Sequence, residues 1–370
     1  MKKQFLVTQI TVAVLVLATC VSPSVFAKPP VLMSPNKFTQ SYEPLDKDAI
    51  NSLSEIGLLR SPLLKSSILK VGYIPEDNIA VAIYDEERTV VGWSIDTNSI
   101  IFNHDLGIVT SKGLVFTESG KNLIGATEHV FEDGSEYING IALWDVQTGE
   151  LIRCITYPCQ DNNIPRDGFL GLAVNARADR LAIYSKYVID LTSISGDFPG
   201  LVYTINSEDA SYFWLIGSVA FDERYRRYAV VFQEGRVYIF DNERSMHHRI
   251  ISNGEQGDRV SVTYAQIDPT GHWLAFVRGE KTQLMNLDSG KLHLEINGSN
   301  PIIAFDKTGQ LLFIGIGNKL SVYSVETASK LSEQDASGIT SLLISEDNRL
   351  VIWGDTEGQI HVWGKLSHQP

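Results

Sequence analysis

Two cysteines could provide redox or cross-linking chemistry in this chain. Cys154 and Cys159 lie in the stretch CITYPC, whereas the third cysteine, Cys20, lies in an apolar N-terminal segment. Four intervening residues are too many for a redox CxxC motif, and no second cysteine pair completes a zinc site. In an oxidising compartment the pair would close a small loop and stabilise the fold by about 2 kcal/mol. If the chain is exported, we therefore predict a structural disulfide between Cys154 and Cys159.

Two acidic clusters and one histidine pair raise the question of metal binding. The clusters Asp85–Glu87 and Glu132–Glu136 offer several carboxylates, which a calcium site requires, but solvated surface loops often have the same composition. His247 and His248 are adjacent, and neighbouring residues on a strand point to opposite faces, so they cannot easily share one ion. We interpret all three as surface features and predict no metal and no cofactor.

Catalytic motifs are absent from the sequence. It contains no G-x-S-x-G elbow, no H-E-x-x-H motif, no phosphate-binding glycine loop and no EF-hand loop, so we expect a non-catalytic protein. The densest basic stretch, ERYRRY, carries Arg224, Arg226 and Arg227 and could meet an acidic partner. The chain as a whole has a net charge of −13. That acidity argues against nucleic acid and anionic lipid as partners.

An internal repeat predicts the elements that position these residues. An apolar residue, a short polar group with Asp, Gly or Asn, and an apolar run recur in seven copies, each typical of a β-hairpin. The copies are Tyr73–Ile83, Phe116–Ala126, Val174–Tyr184, Phe221–Val231, Ile267–Val277, Phe305–Gly315 and Ile344–Gly354. Their spacing is close to the ~40–45 residues of a propeller blade.

A second pattern follows each hairpin. It is an alternating strand that ends in a large apolar residue and is usually followed by a turn and another strand. The large residues are Trp93, Trp144, Ile189, Phe240, Met285, Tyr323 and Trp363. A large side chain that recurs at one place indicates packing between units, so we expect Trp93, Trp144, Phe240 and Trp363 in the core. Each unit then holds four short strands, which predicts an all-β fold.

One segment resembles a known repeat family. Trp144–Gly149 reads WDVQTG, and Asn286–Gly290 and Trp353–Gly358 are near matches to neighbouring parts of the same motif. The units over residues 56–366 therefore resemble WD repeats, which implies a seven-bladed β-propeller. The Gly-His pair that usually opens a WD repeat is missing from most units, and Gly271-His272 falls inside a hairpin turn. The resemblance carries the fold, and function transfers poorly from it.

The last unit supplies only three of its four strands. We predict that Ile56–Arg60, just before the first hairpin, pairs beside Ile360–Trp363 and closes the ring, because closure removes exposed strand edges. The predicted organisation is therefore a lead-in segment over residues 28–55, the propeller over 56–366 and a short tail over 367–370.

The N-terminus has the pattern of a secretion signal. Lys2 and Lys3 precede an uncharged stretch, and its most apolar part, Ile10–Ala18, is shorter than the ~20 residues that span a bilayer. Small residues around Ala27 predict cleavage there, which makes residues 1–27 a signal peptide and the mature protein periplasmic or secreted. The alternatives are an uncleaved anchor and a lipoprotein lipidated at Cys20, the one case in which we expect membrane attachment.

Two insertions exceed a tight turn and are the best candidates for specificity. They are Glu128–Asn139 and Thr192–Gly200, and insertions in repeat folds often bind partners. With the basic stretch, the candidate interaction residues are Glu132, Asp133, Glu136, Tyr137, Asp197, Phe198, Arg224, Arg226 and Arg227.

These features predict an exported, non-catalytic propeller scaffold that binds another protein in a bacterial cell-envelope complex. It would act as a monomer or as part of a hetero-complex. Two alternatives remain: a propeller enzyme, either a lactonase or a quinone-dependent dehydrogenase, and a carbohydrate or cell-wall binder.

Overall fold

Short antiparallel strands make up most of the described residues in the computed structural model. It describes residues 42–61, 64, 66–86, 88–106, 109–117, 119–130, 136–155, 164–165, 169–175, 180–185, 188–194, 201–204, 216–222, 226–241, 247–253 and 261–365. All of them belong to the unit Pro35–Pro370. The other unit, Met1–Ser34, which contains the predicted signal peptide, lies outside the described residues. Among the described residues, no helix is long and apolar enough to cross a membrane.

The described strands form seven small antiparallel sheets in a propeller arrangement, numbered in chain order. Sheet 1 contains β2 (Ile68–Ile74), β3 (Ile79–Tyr84), β4 (Thr89–Ser94) and β5 (Ser99–Asp105). Sheet 2 contains β6 (Val109–Phe116), β7 (Asn122–Val130), β8 (Glu136–Asp145), β9 (Leu151–Ile155) and β10 (Ile164–Pro165). Sheet 3 contains β11 (Phe169–Val174), β12 (Arg180–Ser185), β13 (Val188–Ser193) and β14 (Leu201–Thr204).

The other four sheets are also built from neighbouring antiparallel strands. Sheet 4 contains β15 (Ile216–Phe221), β16 (Arg227–Phe232), β17 (Arg236–Asp241) and β18 (His247–Asn253). Sheet 5 contains β19 (Val262–Ile267), β20 (Trp273–Arg278), β21 (Lys281–Asn286) and β22 (Leu292–Asn297). Sheet 6 contains β23 (Ile302–Phe305), β24 (Leu311–Ile316), β25 (Lys319–Ser324) and β26 (Lys330–Asp335). Sheet 7 contains β27 (Ile339–Ile344), β28 (Leu350–Asp355), β29 (Gln359–Gly364) and β1 (Ser54–Arg60).

Sheet 7 joins two distant parts of the chain. β1 runs antiparallel to β29, with Leu58 opposite His361 and Leu59 opposite Ile360. The predicted pairing of the segment before the first hairpin with the last strand is therefore confirmed. The all-β propeller arrangement predicted from the repeats is confirmed as well.

The buried apolar residues that the structure describes fall into seven clusters, each lying between two sheets. One cluster contains Ile74 of sheet 1 and Trp144 of sheet 2, and five further clusters join the following sheets in order. The seventh cluster packs Trp93 of sheet 1 against Ile352 of sheet 7. Trp93, Trp144 and Trp363 are buried, as their repeated position predicts, whereas Phe240 is half-buried and packs against the cluster between sheets 3 and 4. Cohesion between sheets thus comes from apolar side chains at the same places in each repeat.

The first turn of six sheets is built in one way. The residue after the first strand uses a side-chain oxygen to accept a hydrogen bond from the backbone N–H five residues later, at 2.6–3.3 Å. The six capping pairs are Thr117–Asn122, Asn175–Arg180, Asp222–Arg227, Asp268–Trp273, Asp306–Leu311 and Ser345–Leu350. These short polar side chains satisfy backbone donors inside the turn, which explains why such residues recur in the sequence.

A β-bulge recurs in the first strands. In β2, β11, β15, β19 and β27 the register with the second strand shifts at the same place. The first paired residues after the shift are Lys70, Gly171, Ser218, Tyr264 and Ser341. A bulge re-aims the side chains next to it, so these five residues share one local geometry.

Candidate functional site

The sheets present their turns on two opposite faces. Because neighbouring strands run antiparallel, the six capped turns lie on one face, which we call the capped face. The turns between second and third strands lie on the other face, which we call the hairpin face. Two examples are Gly279-Glu280 and Gly317-Asn318. The predicted interaction residues therefore divide between the two faces.

A strand extension stands out on the hairpin face. β7 and β8 continue past a register shift between Thr127 and Glu128, where Glu128 then pairs with Ile138. Beyond the shift, β10 adds a strand by pairing with Ile138 and Tyr137. We call Glu128–Val130, Glu136–Ile138 and β10 the sheet 2 extension. It contains Glu136 and Tyr137 of the predicted interaction residues, whereas Glu132 and Asp133 lie outside the described residues.

Arg226 and Arg227 lie on the capped face, in the first turn of sheet 4. The Arg227 guanidinium donates to Asp288 Oδ1 at 2.8 Å, in the third turn of sheet 5, and Asp288 Oδ2 lies 2.7 Å from His272 Nδ1. Burial alone would raise the pKa of Asp288, but the hydrogen bonds with His272 and Arg227 outweigh it and lower that pKa. Arg226 lies 3.5 Å from the buried Asp222 carboxylate. Both arginines thus contact carboxylates of the propeller itself.

Three predicted interaction residues, Arg224, Asp197 and Phe198, lie outside the described residues. Cys159 of the predicted disulfide lies outside them as well. Cys154 lies in β9 opposite Ala142, so the disulfide stays a prediction.

Of the three metal-site candidates, the structure describes the histidine pair and Asp85-Glu86, whereas Glu87, Glu132 and Asp133 lie outside the described residues. His247 and His248 both lie in strand β18, which agrees with their interpretation as neighbouring residues of one strand. Among the described residues, no group of three or more His, Cys, Asp and Glu side chains could hold a metal ion.

A cavity of about 760 Å³ lies between the first strands of the sheets. Residues of β2, β6, β11, β15, β19 and β27 line it, and Lys307 and Glu346 contribute from the turns of sheets 6 and 7. The volume is within the usual range of small-molecule pockets, about 300–1,000 Å³. The cavity is therefore a second candidate site, separate from the turns on the two faces.

Two large polar side chains meet in this cavity. Lys70 Nζ of sheet 1 lies 5.6 Å from the ring centroid of Tyr264 in sheet 5. Tyr264 is 38% exposed and lines the cavity. Desolvation by the surrounding strands raises the pKa of Tyr264 to about 12. Desolvation also lowers the pKa of Lys70, because burial disfavours the charged ammonium.

Lys70 and Tyr264 were not among the residues predicted from the sequence. The signal that could have found them is the repeat itself: four residues before the capping position, the other sheets carry Gly113, Gly171, Ser218, Ile302 and Ser341. A lysine and a tyrosine stand out against these mostly small residues only once the first strands are aligned.

Comparison with known proteins gives no family assignment: no protein-family model matches the chain, and no curated protein matches it.

Proposed function

We propose that this protein is an exported, non-catalytic, seven-bladed β-propeller of the WD-repeat type. It acts as a scaffold in a bacterial cell envelope and binds another protein through the hairpin face. The observation that carries the proposal is the sheet 2 extension, an added structure on one face of an otherwise regular repeat.

The seven-bladed ring is supported by the order of the core clusters. Each cluster joins one sheet to the next, and the seventh joins sheet 7 back to sheet 1. A ring in which every sheet is covered on both sides leaves no apolar sheet face exposed, which is the arrangement that a propeller requires. Seven sheets, one for each predicted repeat, fit this closure.

The scaffold role is supported by the length of the sheet 2 extension, compared with the turn between the second and third strands of another sheet. The second-to-third turn of sheet 6 is only Gly317-Asn318, between the paired residues Ile316 and Lys319. In sheet 2 the corresponding strands run on as far as the pair Val130–Glu136, and β10 is the terminal strand beside them. The extension therefore gives the hairpin face an added surface that the short turn lacks, and added surface loops of this kind often bind partners.

Export is supported by the sequence of residues 1–27, with its two lysines, apolar stretch and small residues before the predicted cleavage site. A mature protein in an oxidising compartment would also permit the Cys154–Cys159 disulfide.

Crosslinking in the native host tests the scaffold role. In one variant, Glu128–Asn139 is replaced by Asn-Gly, which suits a two-residue hairpin between the paired residues Thr127 and Gly140. The matched control changes a turn of the same kind with G317N and N318G. We expect one envelope protein to crosslink to the wild-type chain and to the control, and its yield to fall at least tenfold with the shortened extension.

Circular dichroism and the thermal midpoint show whether each variant keeps its fold. The proposal fails if the wild-type chain crosslinks to no protein, or if a folded variant without the extension captures the same protein in equal yield.

A further inference from the structure

The cavity contains a charge without a partner. Among the described residues, no carboxylate forms an ion pair with the Lys70 ammonium, and its one described polar contact is with the Tyr264 ring. A desolvated ammonium is unfavourable unless an opposite charge compensates it. Glu346, a carboxylate that also lines the cavity, forms no ion pair with Lys70. The cavity therefore offers a cation to an incoming anion.

The shape of the cavity comes from the recurring bulge. At the place where sheets 1 and 5 carry Lys70 and Tyr264, sheets 3, 4 and 7 carry Gly171, Ser218 and Ser341. Small residues at three of the five bulges leave space in front of the two long side chains. Tyr264 thus presents an aromatic ring beside a volume that its own strand does not fill.

A side-chain amide lies on the same strand as the aromatic ring. Gln266 lines the cavity, and among the described residues its buried Oε1 has no hydrogen-bond partner. Tyr264 and Gln266 are two residues apart in β19, so their side chains project to the same side. The Gln266 amide can therefore hydrogen-bond with a ligand hydroxyl at the wall of the cavity.

We propose that the cavity binds a small hydroxylated organic acid, such as a sugar acid. Its carboxylate pairs with the Lys70 ammonium, its carbon skeleton packs on the Tyr264 ring, and a hydroxyl hydrogen-bonds with the Gln266 side-chain amide. The site is independent of the sheet 2 extension and of any partner protein.

Isothermal titration with defined probes tests the site. Glucuronate, gluconate and citrate are the hydroxy acids, glucose lacks the carboxylate, and inorganic phosphate is an anion without a carbon skeleton. We expect at least one hydroxy acid to bind the full mature chain, with glucose and phosphate at least tenfold weaker. We expect K70M, which removes the charge at similar length, to weaken that binding at least tenfold. K70R should retain part of it.

Two further variants separate a specific site from general charge effects. Y264A removes the ring and should weaken the hydroxy acid about three- to tenfold, whereas K291M removes an exposed lysine outside the cavity and should change nothing. Circular dichroism confirms that each variant is folded. The proposal is overturned if no hydroxy acid binds, if binding persists in folded K70M, or if phosphate or glucose binds as tightly.

Discussion

His361 lies between two carboxylates that come from different strands. Its Nδ1 is 2.8 Å from Glu55 Oε1 in β1, and its Nε2 is 3.0 Å from Asp355 Oδ2 in β28. The ring stacks on Trp353 with centroids 4.8 Å apart, and Ser337 Oγ lies 2.8 Å from Nε2. With a carboxylate at each ring nitrogen, the doubly protonated imidazolium can donate to both.

The hydrogen bonds in this cluster raise the pKa of His361 and lower the pKa of Asp355. Burial alone would lower the pKa of His361, but hydrogen bonds to Asp355 and Glu55 outweigh it and raise that pKa above 6.5. Burial alone would raise the pKa of Asp355, but hydrogen bonds from His361 and from the backbone N–H of Gln359 outweigh it and lower that pKa below 3.8. Charged His361 therefore stabilises the junction between β1 and β29.

Replacing His361 should reveal a pH window in stability. The raised folded-state pKa means that the contribution of His361 is complete below pH 6.5 and is lost as the pH rises through the raised value. The contribution of Asp355 is present above pH 3.8 and is lost as the pH falls through its lowered value. We expect the stability difference between wild type and H361Q to be largest between these limits and smaller at pH 9.

Urea denaturation at pH 5, 6, 7, 8 and 9 measures this difference. E55Q, which removes one of the two carboxylates, should show a weaker pH dependence than wild type. A difference between wild type and H361Q that stays constant from pH 5 to 9 would contradict the proposed ion pairs.

Residues of the repeat were easier to predict than residues that depend on contacts between repeats. Asp268 and Asp306 belong to short turn patterns, so the sequence shows their local role directly. His361 and Glu55 are 306 positions apart, and Lys70 meets Tyr264 across the cavity. Such pairs depend on the ring geometry, which a local pattern does not contain.

At the scale of elements, Leu59 is the one buried residue of strand β1. Leu59 is 1% exposed and belongs to the cluster between sheets 7 and 1, whereas its neighbour Leu58 is 43% exposed. Alternation along the strand thus places one leucine in the core and the next on the surface.

The two leucines give a matched test of the closure. L59A should reduce the free energy of unfolding by about 2–4 kcal/mol, because it leaves a cavity in a closed core. L58A, the same chemical change one residue away, should cost less than about 1 kcal/mol. Urea denaturation monitored by tryptophan fluorescence measures both. Equal losses in the two variants would show that β1 does not pack as described.

Two elements beside the repeat could not be predicted from its pattern. The lead-in segment buries Leu45 and Ile50 in the cluster between sheets 6 and 7, and Leu45 N donates to Asn348 O at 2.6 Å. β10 adds a fifth strand to sheet 2 with only two residues, Ile164 and Pro165. Both are non-repetitive additions whose positions depend on the assembled sheets.

For the whole molecule, ring closure depends on two kinds of contact. Side-chain clusters join all neighbouring sheets, and within the described residues sheet 7 is the one sheet whose paired strands come from distant parts of the chain. Near this junction, Glu43 N donates to Lys365 O at 2.9 Å, so a short linker can connect the two segments.

Circular permutation separates the two contributions. Both permutants use residues 42–365 and join Lys365 to Tyr42 by a Gly/Ser linker. The first opens the chain between Gly317 and Asn318, inside sheet 6, so β24 and β25 still close the ring by pairing. The second opens it between Gly298 and Ser299, between sheets 5 and 6, where only side chains close the ring. We expect the first to be more stable by about 2 kcal/mol or more.

Urea denaturation of the two permutants measures the difference, and size-exclusion chromatography checks that each is monomeric. Equal midpoints would show that backbone pairing across the closing sheet adds nothing to side-chain packing.

The β-bulge in the first strands of five sheets places ligand-facing residues apart from most of the residues that pack between sheets. Lys70 and Tyr264, just after it, border the cavity, while the apolar side chains that join neighbouring sheets lie elsewhere on the same strands. Ser341, at the same place in sheet 7, instead accepts a hydrogen bond from Val71 N of sheet 1 at 3.1 Å. Mutation can therefore exchange Lys70 or Tyr264 without removing an apolar contact between neighbouring sheets. Relatives of this protein can therefore differ in the ligand that the cavity binds and still keep the same fold. The side chains after the bulge would then determine their selectivity.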